Sequence, residues 1–333
     1  MRIILDALGG DKAPLEVLKG AALAVKSYDV KILLTGETKQ LRELAHSQNI
    51  SLAGIDIMEA EGAITMEDAP LDILRSKKNC SMGVGLRALA DGKGDAFVCA
   101  GNTGALTVGS RSMLGCVGTL RRPALAPVLP HNSGCFMLID AGANVECRPD
   151  MLLNFGHMGS IYIEKIIGIS PPRVGLANIG SEDHKGTRLM QESYALLKNS
   201  NLHFVGNVEG RDIPFGACDV LVADGFTGNM ILKLMEGMGL FMGQAMKEMF
   251  TKNPLTMGAA LLMRSSMVDL KKKMDYSEYG GAPLMGLKKP VIKSHGSSNA
   301  RAFQNAIRQA ISFVDKDVIG AIEDSLKMEA AAG

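Results

Sequence analysis

The sequence predicts an α/β protein in which a mostly parallel, Rossmann-like sheet carries helices on both faces. Three observations lead there. Short apolar runs of strand length alternate with longer segments of helical period, the mark of repeated βαβ units. Each apolar run ends in Gly, Asn or Asp and opens into a polar or glycine-rich loop. No repeat of about 20–50 residues and no low-complexity linker interrupts the chain, so residues 1–333 read as one domain.

Taken in order, Ile3 to Leu5 forms the first strand, and a helix starts near Pro14, whose fixed φ suits a first turn. Leu15, Leu18, Ala22 and Val25 share one face of that helix. Val30 to Leu34 is the second strand, and further strand–turn–helix units begin at Ala96, Phe136, Arg173 and Cys218. The stretch from Met230 to Met285 stands apart, because it holds 11 of the 21 methionines. Pro254 ends one helix there and Met257 to Met263 begins another, which predicts a helical hairpin over residues 235–275 that protrudes with an apolar tip. Its methionines either fill an irregular helix seam or offer an adaptable surface to acyl chains or lipid. The tail from Met328 to Gly333 is expected to fray.

Composition narrows the function classes. A chain with 47% hydrophobic and 21% charged residues buries a large core. Its net charge of +1 gives no global argument for nucleic acid, so charge has meaning only in local clusters. The six cysteines (Cys80, Cys99, Cys116, Cys135, Cys147 and Cys218) have no CxxC spacing, which removes a zinc or thioredoxin motif and predicts reduced thiols. No charged-then-apolar leader precedes the first strand, and Met257 to Met263 is far shorter than the roughly 20 residues of a membrane span. A cytoplasmic protein that can at most attach to a membrane surface is expected.

Chemistry is expected in the loops just beyond the strand carboxyl ends. Gly101-Asn-Thr-Gly-Ala105 lets backbone N–H groups approach an anion at a helix start, or is simply a turn with Thr103 as N-cap. Gly180-Ser-Glu-Asp-His-Lys-Gly-Thr187 resembles a P-loop but places Lys185 before Gly186, so it does not read as a nucleotide site. Lys185 could still hold phosphate as a point charge, or be solvated. Asp140-Ala-Gly-Ala-Asn144, Asp224-Gly-Phe-Thr-Gly-Asn229 and His295-Gly-Ser-Ser-Asn299 each follow a strand, and the last two precede helices. His295 is the one histidine inside such a loop, and is either functional or structural.

Read together with Asp6-Ala-Leu-Gly-Gly-Asp11, Ala100-Gly-Asn-Thr-Gly-Ala105, Gly206-Asn-Val-Glu-Gly-Arg-Asp212 and Tyr279-Gly-Gly-Ala-Pro-Leu284, these loops resemble the bacterial phosphate acyltransferase family of phospholipid synthesis from residue 1 to about residue 320. Leu8 and Lys12 depart from the family's methionine and histidine, which leaves position 12 without an assigned role. The resemblance implies a homodimer with a fold like phosphotransacetylase and the isocitrate dehydrogenase-like proteins. It also implies that a long-chain acyl group passes from acyl carrier protein to inorganic phosphate, with peripheral membrane association beside the downstream glycerol-phosphate acyltransferase. No cofactor, metal or nucleic acid is implied. Lys185 and His295 are then expected to offset charge in the transition state. Asp6, Gly9, Gly10, Asn102, Thr103, Gly104, Asn144, Asp224, Thr227, Asn229, Ser297 and Asn299 are expected around the substrates, and Arg264 with Lys271 to Lys273 is a candidate docking surface for the acidic carrier protein. The alternatives are a phosphate acetyltransferase or hydroxyacid dehydrogenase on the same architecture, and a non-catalytic module that binds lipid or carrier protein.

Overall fold

The computed structural model describes residues 1–268 and 279–332. Strands β1 (Arg2–Asp6), β2 (Lys31–Gly36), β3 (Ile55–Glu59) and β4 (Ala96–Cys99) alternate with helices α1 (Leu15–Ser27), α2 (Thr38–Ser47) and α3 (Ser81–Ala90), and α4 (Thr103–Leu114) follows β4. The short β5 (Ala124–Leu125) leads to β6 (Val128–His131) and β7 (Gly134–Ile139). Next come α5 (Pro149–Tyr162), β8 (Val174–Asn178), α6 (Arg188–Lys198), β9 (Phe204–Glu209) and β10 (Val220–Val222). Helices α7 (Gly225–Thr251) and α8 (Pro254–Leu262) precede β11 (Ala282–Met285) and β12 (Val291–Lys293), and α9 (Ala300–Asp315) and α10 (Val318–Ala332) close the described chain.

The strands divide between two sheets where the sequence suggested one. The first runs β3-β2-β1-β4-β12-β11-β5 and the second β6-β7-β10-β8-β9. All neighbours are parallel except at β11, β5 and β6. The chain changes sheet at Ala126-Pro127. Ala126 N–H donates to the Pro283 carbonyl beside the first sheet, whereas the Pro127 carbonyl accepts from Leu138 in the second, both at 3.0 Å. Proline has no N–H with which to continue the first ladder.

Two apolar clusters draw on both sheets and join them. One holds Ile3 and Val98 with Met137 and Val220, the other Ile4 and Phe97 with Phe136 and Leu221. Because helices cover both faces, these strands are buried on both sides, which is why they read as continuous apolar runs. Helix α1 is turned relative to the expected face: Val17, Leu18, Gly20, Ala21 and Ala24 are its buried residues. Packing on α9 decides this, since a Cβ at Gly20 would lie 2.5 Å from Phe303 Cβ.

Helix α7 is 27 residues long, about 40 Å, and only Gly225 and Gly228 in it are buried. Helix α8 has no buried residue, and Leu255 and Leu262 are 86% and 88% exposed. No described helix is long and apolar enough to cross a membrane. Lys271 to Lys273 lie outside the described residues.

Candidate active site

Strands β2 and β3 lie on one side of β1 and β4 on the other, so the loops leaving β1 and β4 diverge and open a crevice at their carboxyl ends. Three loops interlock there. Asp11 N–H donates to the Gly296 carbonyl at 2.8 Å, tying the β1 loop to the β12 loop. Gly10 has φ +108°, and a Cβ on it would stand 3.1 Å from both Ala100 Cβ and the Gly296 carbonyl. At Gly9 a Cβ would meet Asp6 Oδ2 at 2.5 Å and Gly101 N at 2.8 Å. These glycines are therefore required by the approach of loop to loop.

Asp6 is buried and accepts from Leu8 N–H at 3.2 Å and Cys99 Sγ at 3.1 Å, so it fastens the crevice floor. Burial pushes its carboxyl up and the Cys99 thiol well up, the latter reinforced by the neighbouring Asp6 charge. Asn102, not Thr103, is the N-cap of α4: its Oδ1 accepts from Ala105 N–H at 3.0 Å and its Nδ2 donates to the Thr65 carbonyl at 2.9 Å. Thr103 and Gly104 are then the first helical residues, where backbone N–H groups have no partner within the helix and favour an anion.

The sequence reading passed over Lys293, the last residue of β12. Its ammonium donates to the carbonyls of Ala100, at 3.2 Å, and Ser294, and among the described residues no carboxylate is ion-paired with it. Burial lowers its pKa. A lysine ending a strand two residues before the flagged His295 was the available signal. A half-buried cation held by carbonyls, with Asp6 and Asp11 nearby but no carboxylate in ion-pair contact, can accept an anion.

His295 stands beside it, with 41% of its side chain exposed. Ser297 N–H donates to Nδ1 at 3.2 Å, so this network assigns Nδ1 as acceptor and leaves the proton of the neutral ring on Nε2. Nε2 lies 3.7 Å from Glu236 of α7, and Ser297 Oγ is 2.8 Å from Nδ1. Desolvation lowers the His295 pKa, against the pull of Glu236. Asn299 caps α9 by accepting from Ala302 N–H at 2.9 Å.

Helix α7 links this crevice to the edge of the second sheet. Gly225 to Asn229 form its first turn instead of a loop, with Asp224 as N-cap accepting from Phe226 and Thr227 N–H and from Thr227 Oγ1 at 2.8–3.0 Å. The buried Asp140 gathers N–H donors from Leu125 (2.8 Å), Ala143 (3.1 Å) and Asn144 (2.6 Å), yet burial still raises its pKa. Both Nδ2 donors of Asn144 are occupied, on the Pro123 carbonyl and Asp140, so this side chain fastens its loop. Asn229 is exposed near Gly142. Lys185 follows β8, next to β10 in the same sheet; its ammonium is 3.9 Å from Glu182 and its carbonyl accepts from Asn178. The described contacts of Lys185 stay within its own loop and do not join it to His295.

Among the described residues no three His, Cys, Asp or Glu side chains are arranged to hold a metal ion. An open depression of about 690 Å³ beside β2 and β3 is lined by Glu37, Glu59 and Glu61 against the single cation Lys39, a net negative charge and the wrong sign for phosphate.

The architecture is that of the phosphotransacetylases. A phosphotransacetylase from Streptococcus pyogenes superposes with a TM-score of 0.64 at 14% identity, covering 95% of this chain and 94% of the other, a likeness of fold. The model of the family described as "Fatty acid synthesis protein" matches residues 1–321. The chain is 47% identical over 326 residues to the phosphate acyltransferase of Alkaliphilus oremlandii, and 45% identical over 328 residues to that of Thermoanaerobacterium thermosaccharolyticum. Each match covers 98% of this chain and 97% of the relative. The chain belongs to the phosphate acyltransferase family, and it is an enzyme that transfers an acyl group to phosphate.

Proposed function

We propose that the acyl donor is a long-chain thioester of acyl carrier protein and that the product, an acyl phosphate, feeds phospholipid synthesis. The observation that carries the reading is Lys293, a half-buried cation without an ion-pair partner, flanked by His295 and the free N–H groups at the start of α4. Phosphate held there is a dianion that needs no base. Its oxygen attacks the thioester carbonyl, the C–O bond forms, and collapse of the tetrahedral oxyanion breaks the C–S bond. The leaving thiol, with an ordinary pKa of roughly 8.5, departs as thiolate or takes a proton from His295 Nε2. Cations and N–H donors lower the barrier most, because the incoming dianion repels the developing oxyanion. Lys185 and Asn229, on the second sheet's edge, are proposed to steady the thioester side. Gly9, Gly10, Gly104 and Ser297 support the loops around the phosphate, and Thr227 holds the first turn of α7 beside Asn229 through its bonds to Asp224.

Helix α7 favours a long chain over acetate. Phe226, Met230, Leu234 and Met238 recur at i, i+4 spacing and are all about half to two-thirds exposed, an apolar stripe along the side of α7 turned away from Glu236. An acetyl group has no use for it. Purified enzyme given palmitoyl carrier protein and phosphate is expected to form acyl phosphate that hydroxylamine traps, with no NADH oxidation. Product formed without added phosphate, or no product, would overturn the reading in favour of a hydrolase or a binding module.

The enzyme is further proposed to act as a homodimer in the cytoplasm, attached reversibly to the membrane where a glycerol-phosphate acyltransferase consumes its product. The exposed Leu255, Leu261 and Leu262 suit a lipid surface, each contributing about 1.5–3 kcal/mol at most. The L261E/L262E variant is expected to stay dimeric and active yet no longer float with liposomes of anionic lipid. Dissociation to monomers would instead place this tip in the subunit interface.

A further inference from the structure

Beside the Asn144 loop lies a second cavity, of about 330 Å³, lined by Arg121, Arg122 and Arg148 over a floor that includes Leu120, Met151 and Phe155. Arg148 is paired bidentately with Asp150 at 2.9 and 3.0 Å. Arg121 and Arg122 are exposed and have no hydrogen bond or ion pair to another described residue. Three guanidinium groups against one carboxylate leave the cavity strongly positive in a chain whose net charge is only +1. The same connection continues the sign on its other side, where Arg111 and Lys288 bear on Cys116.

The position is specific. Asn144 Nδ2 bonds the carbonyl of Pro123, the residue after Arg122, and Gly225 N–H donates to the Asn144 carbonyl at 2.7 Å, so the cavity is fastened to the first turn of α7. From Gly225 to Glu236, which faces His295, α7 rises roughly 16 Å. A ligand seated at the arginines is therefore some way from the reacting atoms, yet on the helix that leads to them. This suits a carrier that delivers its thioester on a flexible arm and is itself held at a distance.

We propose that Arg121, Arg122 and Arg148 form the docking surface for the acidic carrier protein that bears the acyl thioester, with its carboxylates on the guanidinium groups and an apolar side chain in the cavity. The proposal rests on the acyl-carrier reading above. It places the carrier where the segment entering β5 of the first sheet meets the start of α5, and not at Arg264. Charges at the rim of a docking surface act mainly through encounter, so their loss raises KM and its salt sensitivity disappears.

The R121E/R122E enzyme, with the neutral R121Q/R122Q enzyme beside it, is assayed with palmitoyl carrier protein and with a palmitoyl pantetheine thioester that lacks the protein. Reversal is expected to raise KM for the carrier-protein substrate at least tenfold at low salt and to flatten its salt dependence. The neutral variant should fall between, while kcat, KM for phosphate and the rate with the pantetheine thioester stay unchanged. An unchanged KM for the carrier protein, an equal rise for the pantetheine thioester, or a KM that responds to R264E instead would overturn the docking surface. Loss of all acyl transfer by the wild-type enzyme would strike the functional reading itself, so the two failures are told apart.

Discussion

Replacing Lys293 with methionine is expected to lower turnover by roughly 10²–10³-fold, the range seen when a preorganised donor to a developing oxyanion is removed. Stability should change little by comparison. Ala100 and Ser294 carbonyls lose a donor, which costs about 1–3 kcal/mol, but removing a half-buried, partly desolvated cation with no ion-pair partner offsets part of that. The pH dependence of stability supplies a signature. Burial depresses the folded-state pKa below the ordinary 10.5, so the folded protein binds this proton less readily than the unfolded chain. The resulting penalty is full below the folded pKa and lifts as pH rises through it, and K293M should abolish that slope. H295A is expected to lose rate as well, and K185A tests the cation on the other edge. Thermal melts and steady-state kinetics decide the matter: a K293M enzyme with near-normal kcat would end the case for a phosphate site at the β4–β12 edge.

A second large effect is expected at Gly228. A Cβ there would lie 1.9 Å from the Asp140 carbonyl, a backbone atom that cannot swing aside, so the first turn of α7 must move. Gly228→Ala should cost about 3 kcal/mol or more and, by displacing Glu236 from His295, reduce turnover too. Gly237, only nine residues further on, has nothing within 4 Å of an added Cβ. Gly237→Ala should stabilise the helix by about 0.5–1 kcal/mol. Chemical denaturation of both variants checks the pair. If Gly237→Ala also destabilises, a second subunit covers that part of α7.

Much of the fold was legible because strand and helix periods are local properties. The runs at Ala96, Phe136, Arg173 and Cys218 all became strands, with edges moved by a residue or two. Local pattern also located the polar loops, since small residues after an apolar run have few other uses. It did not assign their roles. Thr103 lost the cap to Asn102, whose amide nitrogen also donates to the Thr65 carbonyl, and no spacing rule announces a partner 37 residues away. Asn144 was expected near the substrates but fastens Pro123 and Asp140.

By itself the sequence determined the α/β class, the family and the set of loops from which any active site must be drawn, because each is written in residue type and short-range order. Tertiary structure alone decided that the strands form two sheets, split at Ala126-Pro127, and that β12, from far along the chain, lies beside β4. That pairing sets the Lys293 ammonium on the Ala100 carbonyl, 193 residues distant in sequence. It also lets α7, which starts at the second sheet, present Glu236 to His295 at the first. Burial and counter-charge are properties of surroundings, and a chain read one residue at a time does not contain them.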